Sequence, residues 1–291
     1  MLDVVLDMET GDPDDFLTLL LLAGHPAVNL HAVTVTPGSP SQVGIVRHGL
    51  ALLGRSDVRV GAFNLDHPKA CVSRWHYRVL GEVAPSLAAE PGGRLLAEVC
   101  DESTTLICGG PLKNLGAALA DERLRLGRLV VQGGFAGEGV VPAADQLPKF
   151  RGRRTCPSYN LNGAPGSALA ALAYPGIGQR RFVAKNVCHA VVYDHDLHAR
   201  VAGVMDASPS LALIHRLMTD YLTARPEGKI LHDPLAACCA IDPEIGTWAE
   251  VEIYREHGEW GARIASGTRT LIITGYDRQR FLDTFLQLPQ E

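Results

Sequence analysis

LDVVLDMETGDPDDF, residues 2–16, is the stretch from which the fold is read. Leu2 to Leu6 is a short apolar run rich in β-branched residues, the pattern of a buried strand. The run ends in acid: of the nine residues from Asp7 to Asp15, five carry carboxylates. Like charges so close raise one another's pKa values, so the cluster requires a cation, a shared proton or open water. Asp7 and Glu9, two apart on an extended chain, share one face of the emerging strand, whereas Asp12-Pro13-Asp14-Asp15 enters a helix with Pro13 suited to its first turn. Capping of exposed amides and the helix macrodipole account for Asp12 and Asp14. They leave Asp7, Glu9 and Asp15 without a reason, and a hard cation bound by several oxygens supplies one.

Outward from this stretch the same grammar repeats. Apolar runs recur at 29–35 (NLHAVTV), 58–62 (VRVGA), 104–110 (TTLICGG), 128–134 (RLVVQGG) and 180–187 (RRFVAKNV), separated by helical patterns at 14–24, 41–53, 112–119 and 166–172. Strand and helix in alternation predict βαβ units, hence an open, mostly parallel, doubly wound α/β sheet whose ligand crevice lies at the carboxyl ends of its strands. Further helices are expected at 196–225 and 233–241, and a hairpin with more sheet at 250–276. Residues 1–291 are read as one domain. The Gly-, Pro- and base-rich segment 135–157 is the candidate lid. Its glycines do not fall at the GxGxxG spacing, so no dinucleotide fingerprint is present.

Composition narrows the function. With 27 Lys and Arg against 32 Asp and Glu, a net charge of −5 and no long basic block, the chain is unsuited to nucleic acid or an anionic membrane surface. A small molecule is the expected ligand. No apolar run reaches bilayer length and no basic flank precedes an apolar stretch, so a cytoplasmic location is expected. The seven cysteines form no CxxC pair, which reads as buried reduced thiols rather than a zinc site.

Two distant segments carry further chemistry. In LHDPLAACCAIDP (231–243), His232 and Asp233 precede Pro234 and an apolar helical run, so Asp233 stands at a second helix start. In LICGGPLKN (106–114), a strand ends in Gly109-Gly110-Pro111 before a helix, where glycine permits close approach of backbone to a ligand or simply a tight turn.

Together these pieces resemble the nucleoside hydrolase family, the inosine-uridine-preferring ribohydrolases that cleave N-glycosidic bonds. DMETGDPDD resembles the family's DxDPGxDD opening, GPLKN (Gly110 to Asn114) its GPLTN, RLVVQGG its strand ending in MGG, SYNLNGAPGSALAAL its EFN followed by DPEAA, and HDPLA its HDPLA, in family order over nearly the whole chain. The resemblance implies hydrolysis of a nucleoside, nucleotide or related riboside by a homo-oligomer holding Ca²⁺, with Mg²⁺ as the alternative ion. It implies Asp15 and Asp233 as metal ligands together with the main-chain carbonyl of Lys113, Asp14 on a ribose hydroxyl, Asn160 on the 5′ side, and His232 near the leaving base, with His189 a further candidate.

This chain also departs from the family pattern. The opening motif is one residue longer and has Glu9 at its second acidic position, so Glu9 takes the role of water base and metal ligand, with Asp7 as the alternative. Ser39 stands where the family has a ribose-binding Asn, Ser158 replaces the Glu of EFN, and Ala164 replaces an Asp for which Asn162 compensates. A sugar pocket missing such partners points away from plain ribonucleosides. KFRGRRT places Arg151 and Arg153 just before Ser158, where they suit a phosphate. Two rivals remain at this stage: a metal-dependent phosphohydrolase with Asp7 as nucleophile, and a nucleoside- or sugar-binding protein without turnover.

Overall fold

The computed structural model describes residues 1–288. Its strands are β1 (Leu2–Met8), β2 (Val28–Val35), β3 (Arg59–Ala62), β4 (Glu90–Pro91), β5 (Thr105–Cys108), β6 (Leu126–Gln132), β7 (Thr155–Cys156), β8 (Ile177–Val183), β9 (Val192–Tyr193), β10 (Lys229–Ile230), β11 (Gly246–Glu256), β12 (Glu259–Ile264) and β13 (Thr270–Tyr276). The helices are α1 (Pro13–Gly24), α2 (Pro40–Leu52), α3 (Arg74–Leu80), α4 (Gly92–Val99), α5 (Lys113–Ala118), α6 (Tyr159–Gly163), α7 (Pro165–Ala173), α8 (Lys185–Cys188), α9 (His195–Val204), α10 (Pro209–Ala224), α11 (Asp233–Ile241) and α12 (Arg278–Phe285).

One sheet organises the molecule, in the order β4-β3-β2-β1-β5-β6-β8-β13-β11-β12-β7. From β4 to β13 every pairing is parallel, and β11, β12 and β7 extend it antiparallel. The chain winds outward from β1 through β2 and β3 to β4, then returns to pair β5 against the other side of β1 and winds the opposite way. The reversal leaves a crevice beyond the carboxyl ends of β1 and β5, where Asp7 pairs in register with Cys108. The acidic stretch leaves β1 directly into it.

Both faces of the parallel region are covered, and β1 is accordingly apolar without alternation: Val4, Val5, Leu6 and Met8 are all fully buried. In α1 the apolar residues run all round the helix, with Phe16, Leu17 and Leu19 to Leu22 buried, because α2, α10 and α11 pack against it. Removing one such leucine side chain costs about 2–5 kcal/mol. The helix that delivers Asp14 and Asp15 is therefore rigidly seated.

Three expectations change. The helical segment 196–225 is broken into α9 and α10, because Pro209 suits a first turn but not an interior and Ser208 caps the second helix by accepting from the Leu211 amide. The expected strand 180–187 ends at Val183, and α8 begins at Lys185. Segment 135–157 is tied down: single 3₁₀ turns form at Ala143–Asp145 and Pro148–Phe150, β7 pairs with β12, and Phe135, Phe150 and Cys156 bury one another. The terminal hairpin forms as expected, turning through His257 (φ 50°) and Gly258 (φ 83°), the two positive values a two-residue type I′ turn needs. No helix among the described residues is long and apolar enough to cross a membrane, and six of the seven cysteines are buried.

Candidate active site

A cavity of about 470 Å³ lies at the carboxyl ends of β1, β5 and β6 and is lined by residues of the three motif regions, including Glu9, Asp14, Asp15, Gly109, Asn160, His232 and Asp233. A second lobe of about 890 Å³ shares Glu9, Gly11, Tyr159 and Lys185 with it and extends over Thr36, His67, Cys71, Lys113 and Asn162.

At the floor, carboxylate oxygens of Asp14, Asp15 and Asp233 lie within 4.8 Å of one another, all three side chains buried. The starts of α1 and α11 deliver them, and neither helix receives a side-chain cap from its own N-cap residue. Asp14 lines the cavity and is also tied to the far motif. Its Oδ2 accepts the main-chain amides of His232 (2.8 Å) and Asp233 (3.3 Å), and its Oδ1 lies 3.1 Å from the Lys229 ammonium. Asp15 Oδ1 accepts the Glu9 amide at 3.0 Å. Asp233 Oδ1 is buried and has no hydrogen-bond partner among the described residues. Burial and then the neighbouring carboxylates push Asp15 and Asp233 well above the usual carboxylate range.

These residues fit a divalent cation. A buried carboxylate oxygen with no donor is costly unless something positive meets it. Glycine at 109 keeps the approach open, since a Cβ there would stand 2.9 Å from Asp233 Oδ1 and 3.3 Å from Asp15 Oδ1. An all-oxygen donor set of this kind suits Ca²⁺ or Mg²⁺ rather than a softer ion.

Glu9 faces both lobes. Burial, then the charges of Asp12 and Asp14, raise its carboxyl to about 7. Gly11 makes room for it, since a Cβ there would come within 3.0 Å of Glu9 Oε2. Asp7, the alternative base, does not line the cavity. It is fully buried, and its Oδ1 accepts from Thr34 Oγ1 (2.7 Å) and Asn114 Nδ2 (2.8 Å), out of reach of a substrate. Attack by Asp7 on phosphorus therefore has no geometry here.

His232 and His189 also line the cavity, with ring centroids 5.0 Å apart and edge to face. Burial, then the charge of Lys229, pulls the His232 imidazole down to about 4; burial, then His232 itself, does the same to His189. Asn160 is buried and its Nδ2 donates to the Gly109 carbonyl, the Gln132 carbonyl and Gln132 Oε1. Ser158 Oγ accepts the Gly134 amide at 3.1 Å and also lines the cavity. Asn162 lies in the second lobe, its Oδ1 accepting from Trp260 Nε1, and the Lys113 ammonium sits 5.8 Å from the Phe63 ring centroid.

Three expected contacts lie outside both lobes. Ser39 is the N-cap of α2: its hydroxyl accepts the Gln42 amide and donates to the Ala70 carbonyl, so it is occupied by the fold. Arg151 and Arg153 are solvent-exposed and line neither lobe. Conversely, Lys229 escaped the sequence reading. It lies 2.9 Å from Asp12 Oδ1 and 3.1 Å from Asp14 Oδ1 with its side chain buried, and those two charges raise it despite burial. A single lysine four residues before Asp233 looks like ordinary surface charge, and only the pairing of β9 with β10 turns it inward. Lys185 and Gln132, which line the cavity from α8 and the end of β6, also escaped the sequence reading.

Residues 4–283 match the family model described as inosine-uridine preferring nucleoside hydrolase. The chain belongs to that family. It is therefore a glycosyl hydrolase of the nucleoside hydrolase class. This nucleoside hydrolase is 26% identical over 289 residues to an uncharacterized protein of Aquifex aeolicus, covering 94% of the chain and 95% of the relative. It is 25% identical over 307 residues to the pyrimidine-specific ribonucleoside hydrolase RihA of Photobacterium profundum, covering 96% and 90%. Its fold is shared with the inosine-uridine preferring nucleoside hydrolase of Bacillus anthracis at a TM-score of 0.70, 18% identity and 99% coverage of both chains.

Proposed function

We propose that the chain hydrolyses the N-glycosidic bond of a nucleoside-type riboside seated in the two-lobed cavity, with a divalent cation held by Asp15, Asp233 and the main-chain carbonyl of Lys113. The observation that carries this reading is the buried, unpartnered Asp233 Oδ1 brought against Asp15 beneath a glycine. When bound, such a cation supplies Lewis-acid activation of water. Glu9 takes a proton from the attacking water, whose oxygen bonds to the anomeric carbon while the C–N bond breaks and leaves its electron pair on the base nitrogen. Buried imidazole is neutral at pH 7, so His232 supports departure by donating an N–H hydrogen bond to the base, which then takes its proton from solvent. The acidic floor favours the positive charge of an oxocarbenium-like transition state. Asp14 accepts from a ribose hydroxyl, and Asn160 with Ser158 faces the 5′ side of the sugar.

A substrate with an anionic substituent, such as a nucleoside 5′-phosphate, is favoured by a separate observation. Lys185 and Lys113 line the second lobe, and neither ammonium has an ion-pair partner among the described residues. They take the role first expected of Arg151 and Arg153. Relatives named for pyrimidine and for inosine-uridine substrates leave the preferred base to experiment.

The test is one panel: purified protein with Ca²⁺, Mg²⁺ or chelator, offered nucleosides, nucleoside monophosphates and nicotinamide riboside, with free sugar and free base measured. Cation-dependent release of both is expected, and its absence across the panel overturns the reading. For the anionic substituent, Lys185→Met should lower kcat/KM on the monophosphate by about tenfold more than on the nucleoside, while Arg151→Ala and Arg153→Ala leave that ratio unchanged.

A further inference from the structure

Behind the wall that carries His232, a chain of polar side chains runs from the sugar side of the cavity to the base side. Asn160 Nδ2 donates to Gln132 Oε1 at 2.9 Å, Gln132 Nε2 reaches Cys188 Sγ at 3.6 Å, and Cys188 Sγ lies 3.0 Å from His232 Nδ1. Its direction is fixed from the Asn160 end. That amide meets three oxygens, the Gly109 and Gln132 carbonyls and Gln132 Oε1, so it must present its NH₂ to them. Gln132 then has its carbonyl oxygen toward Asn160 and its own NH₂ toward the sulfur.

Cys188 is fully buried, and burial pushes its thiol upward, so the sulfur keeps its proton. That proton has two oxygen or nitrogen neighbours, His232 Nδ1 at 3.0 Å and the Lys185 carbonyl at 3.5 Å. The 3.0 Å contact forms with either atom as donor, so the tautomer of the ring turns on which way the S–H points. With S–H directed at Nδ1, that nitrogen is an acceptor, and a neutral imidazole must then carry its hydrogen on Nε2. At the other end, the His232 main-chain amide is tied to Asp14 Oδ2, so backbone and ring are both held.

We propose that Cys188 is a positioning residue that fixes His232 in the Nε2–H tautomer, turning the imidazole into a hydrogen-bond donor toward the leaving base. The proposal rests on the N-glycosidic reading for its catalytic consequence, and the tautomer itself is independent of it. An Nδ1–H ring would face the cavity with a lone pair and repel the lone pair that develops on a departing base. Cys188 contributes nothing to a leaving group that departs unaided.

The experiment uses the full chain as wild type, Cys188→Ala and Cys188→Ser, with uridine, inosine and p-nitrophenyl β-D-riboside as substrates. Cys188→Ala is expected to lower kcat on the nucleosides by about tenfold or more, with KM held within about twofold, while turnover of the nitrophenyl riboside stays at the wild-type level. Cys188→Ser, which keeps a donor at this position, recovers most of the loss. A structural role would lower all three substrates together in both variants, and that outcome overturns the proposal, as does an unchanged nucleoside rate in Cys188→Ala. Independently of activity, ¹H–¹⁵N correlation through the His232 ring is expected to report Nε2–H in the wild type and loss of that preference in Cys188→Ala. An Nδ1–H wild type overturns the proposal. Failure of the wild type on all three substrates moves the kinetic comparison to whichever monophosphate or riboside the wider panel shows to be turned over, failure across that panel overturns the N-glycosidic reading instead, and the ring spectrum decides the tautomer in either case.

Discussion

Two helices begin with the same grammar and use it in opposite ways. At α2 the chain reads Ser39-Pro40-Ser41-Gln42, and the cap is complete: the Ser39 hydroxyl accepts the Gln42 amide, and the Gln42 side chain returns to the Ser39 amide at 3.1 Å. At α1 it reads Asp12-Pro13-Asp14-Asp15, with an N-cap residue as good as serine, yet Asp12 makes no cap hydrogen bond. Its carboxylate is turned to Lys229, Asp14 accepts the amides of the far motif, and Asp14 and Asp15 both line the cavity. A capping residue that caps belongs to the fold. One that forgoes the cap, at a loss of about 1 kcal/mol, marks a place where the carboxylates serve something else.

The largest effect that sharpens this contrast is expected at the floor of the site. Asp15→Ala and Asp233→Ala should each reduce kcat/KM by about a thousand-fold or more, while thermal unfolding in chelator is unchanged or moves upward, because each removes a buried like-charge neighbour. The same variants should lose the rise in Tm that Ca²⁺ gives the wild type. Next comes Lys229→Met, which leaves Asp14 buried without its counter-charge and should cost about 3 kcal/mol in urea unfolding. A loss under about 1 kcal/mol would mean that the amides of His232 and Asp233 suffice to hold Asp14. Ser39→Ala should cost about 1 kcal/mol with kcat/KM unchanged. A selective loss of activity there would return Ser39 to the substrate pocket. Smallest is Asp12→Asn, which has no cap to lose and is itself half-exposed in its ion pair, so about 0.5 kcal/mol or less is expected from denaturant midpoints.

Much of the fold was legible because it is written in short-range patterns: continuous apolar runs for the parallel strands, helical period between them, and Pro at first turns. The acidic floor was legible for a different reason. Capping leaves Asp15 unexplained, whereas Asp233 has an ordinary place at a helix start and stands out only because DMETGDPDD, GPLKN and HDPLA occur in family order. What stayed hidden depends on partners far away in sequence. Ser39 occupied a family binding position, and only Gln42 and the Ala70 carbonyl reveal its hydroxyl as already engaged. Arg151 and Arg153 carry the right charge, but the segment around them is pinned by Phe135, Phe150 and Cys156 with both arginines left in solvent. Lys229 and Cys188 have no local signal at all, because their roles are set by contacts to Asp14 and His232 that no periodicity encodes.

The Asp14 carboxylate that accepts the amides of His232 and Asp233 also has a consequence for biogenesis. A nascent chain emerging from the ribosome exposes its acidic turn early, but has nothing to close against it until α11 has cleared the exit tunnel. Ion capture and catalytic competence should therefore wait for the emergence of α11, so a product stalled or truncated before it would remain inert toward substrate however well its first strands had paired.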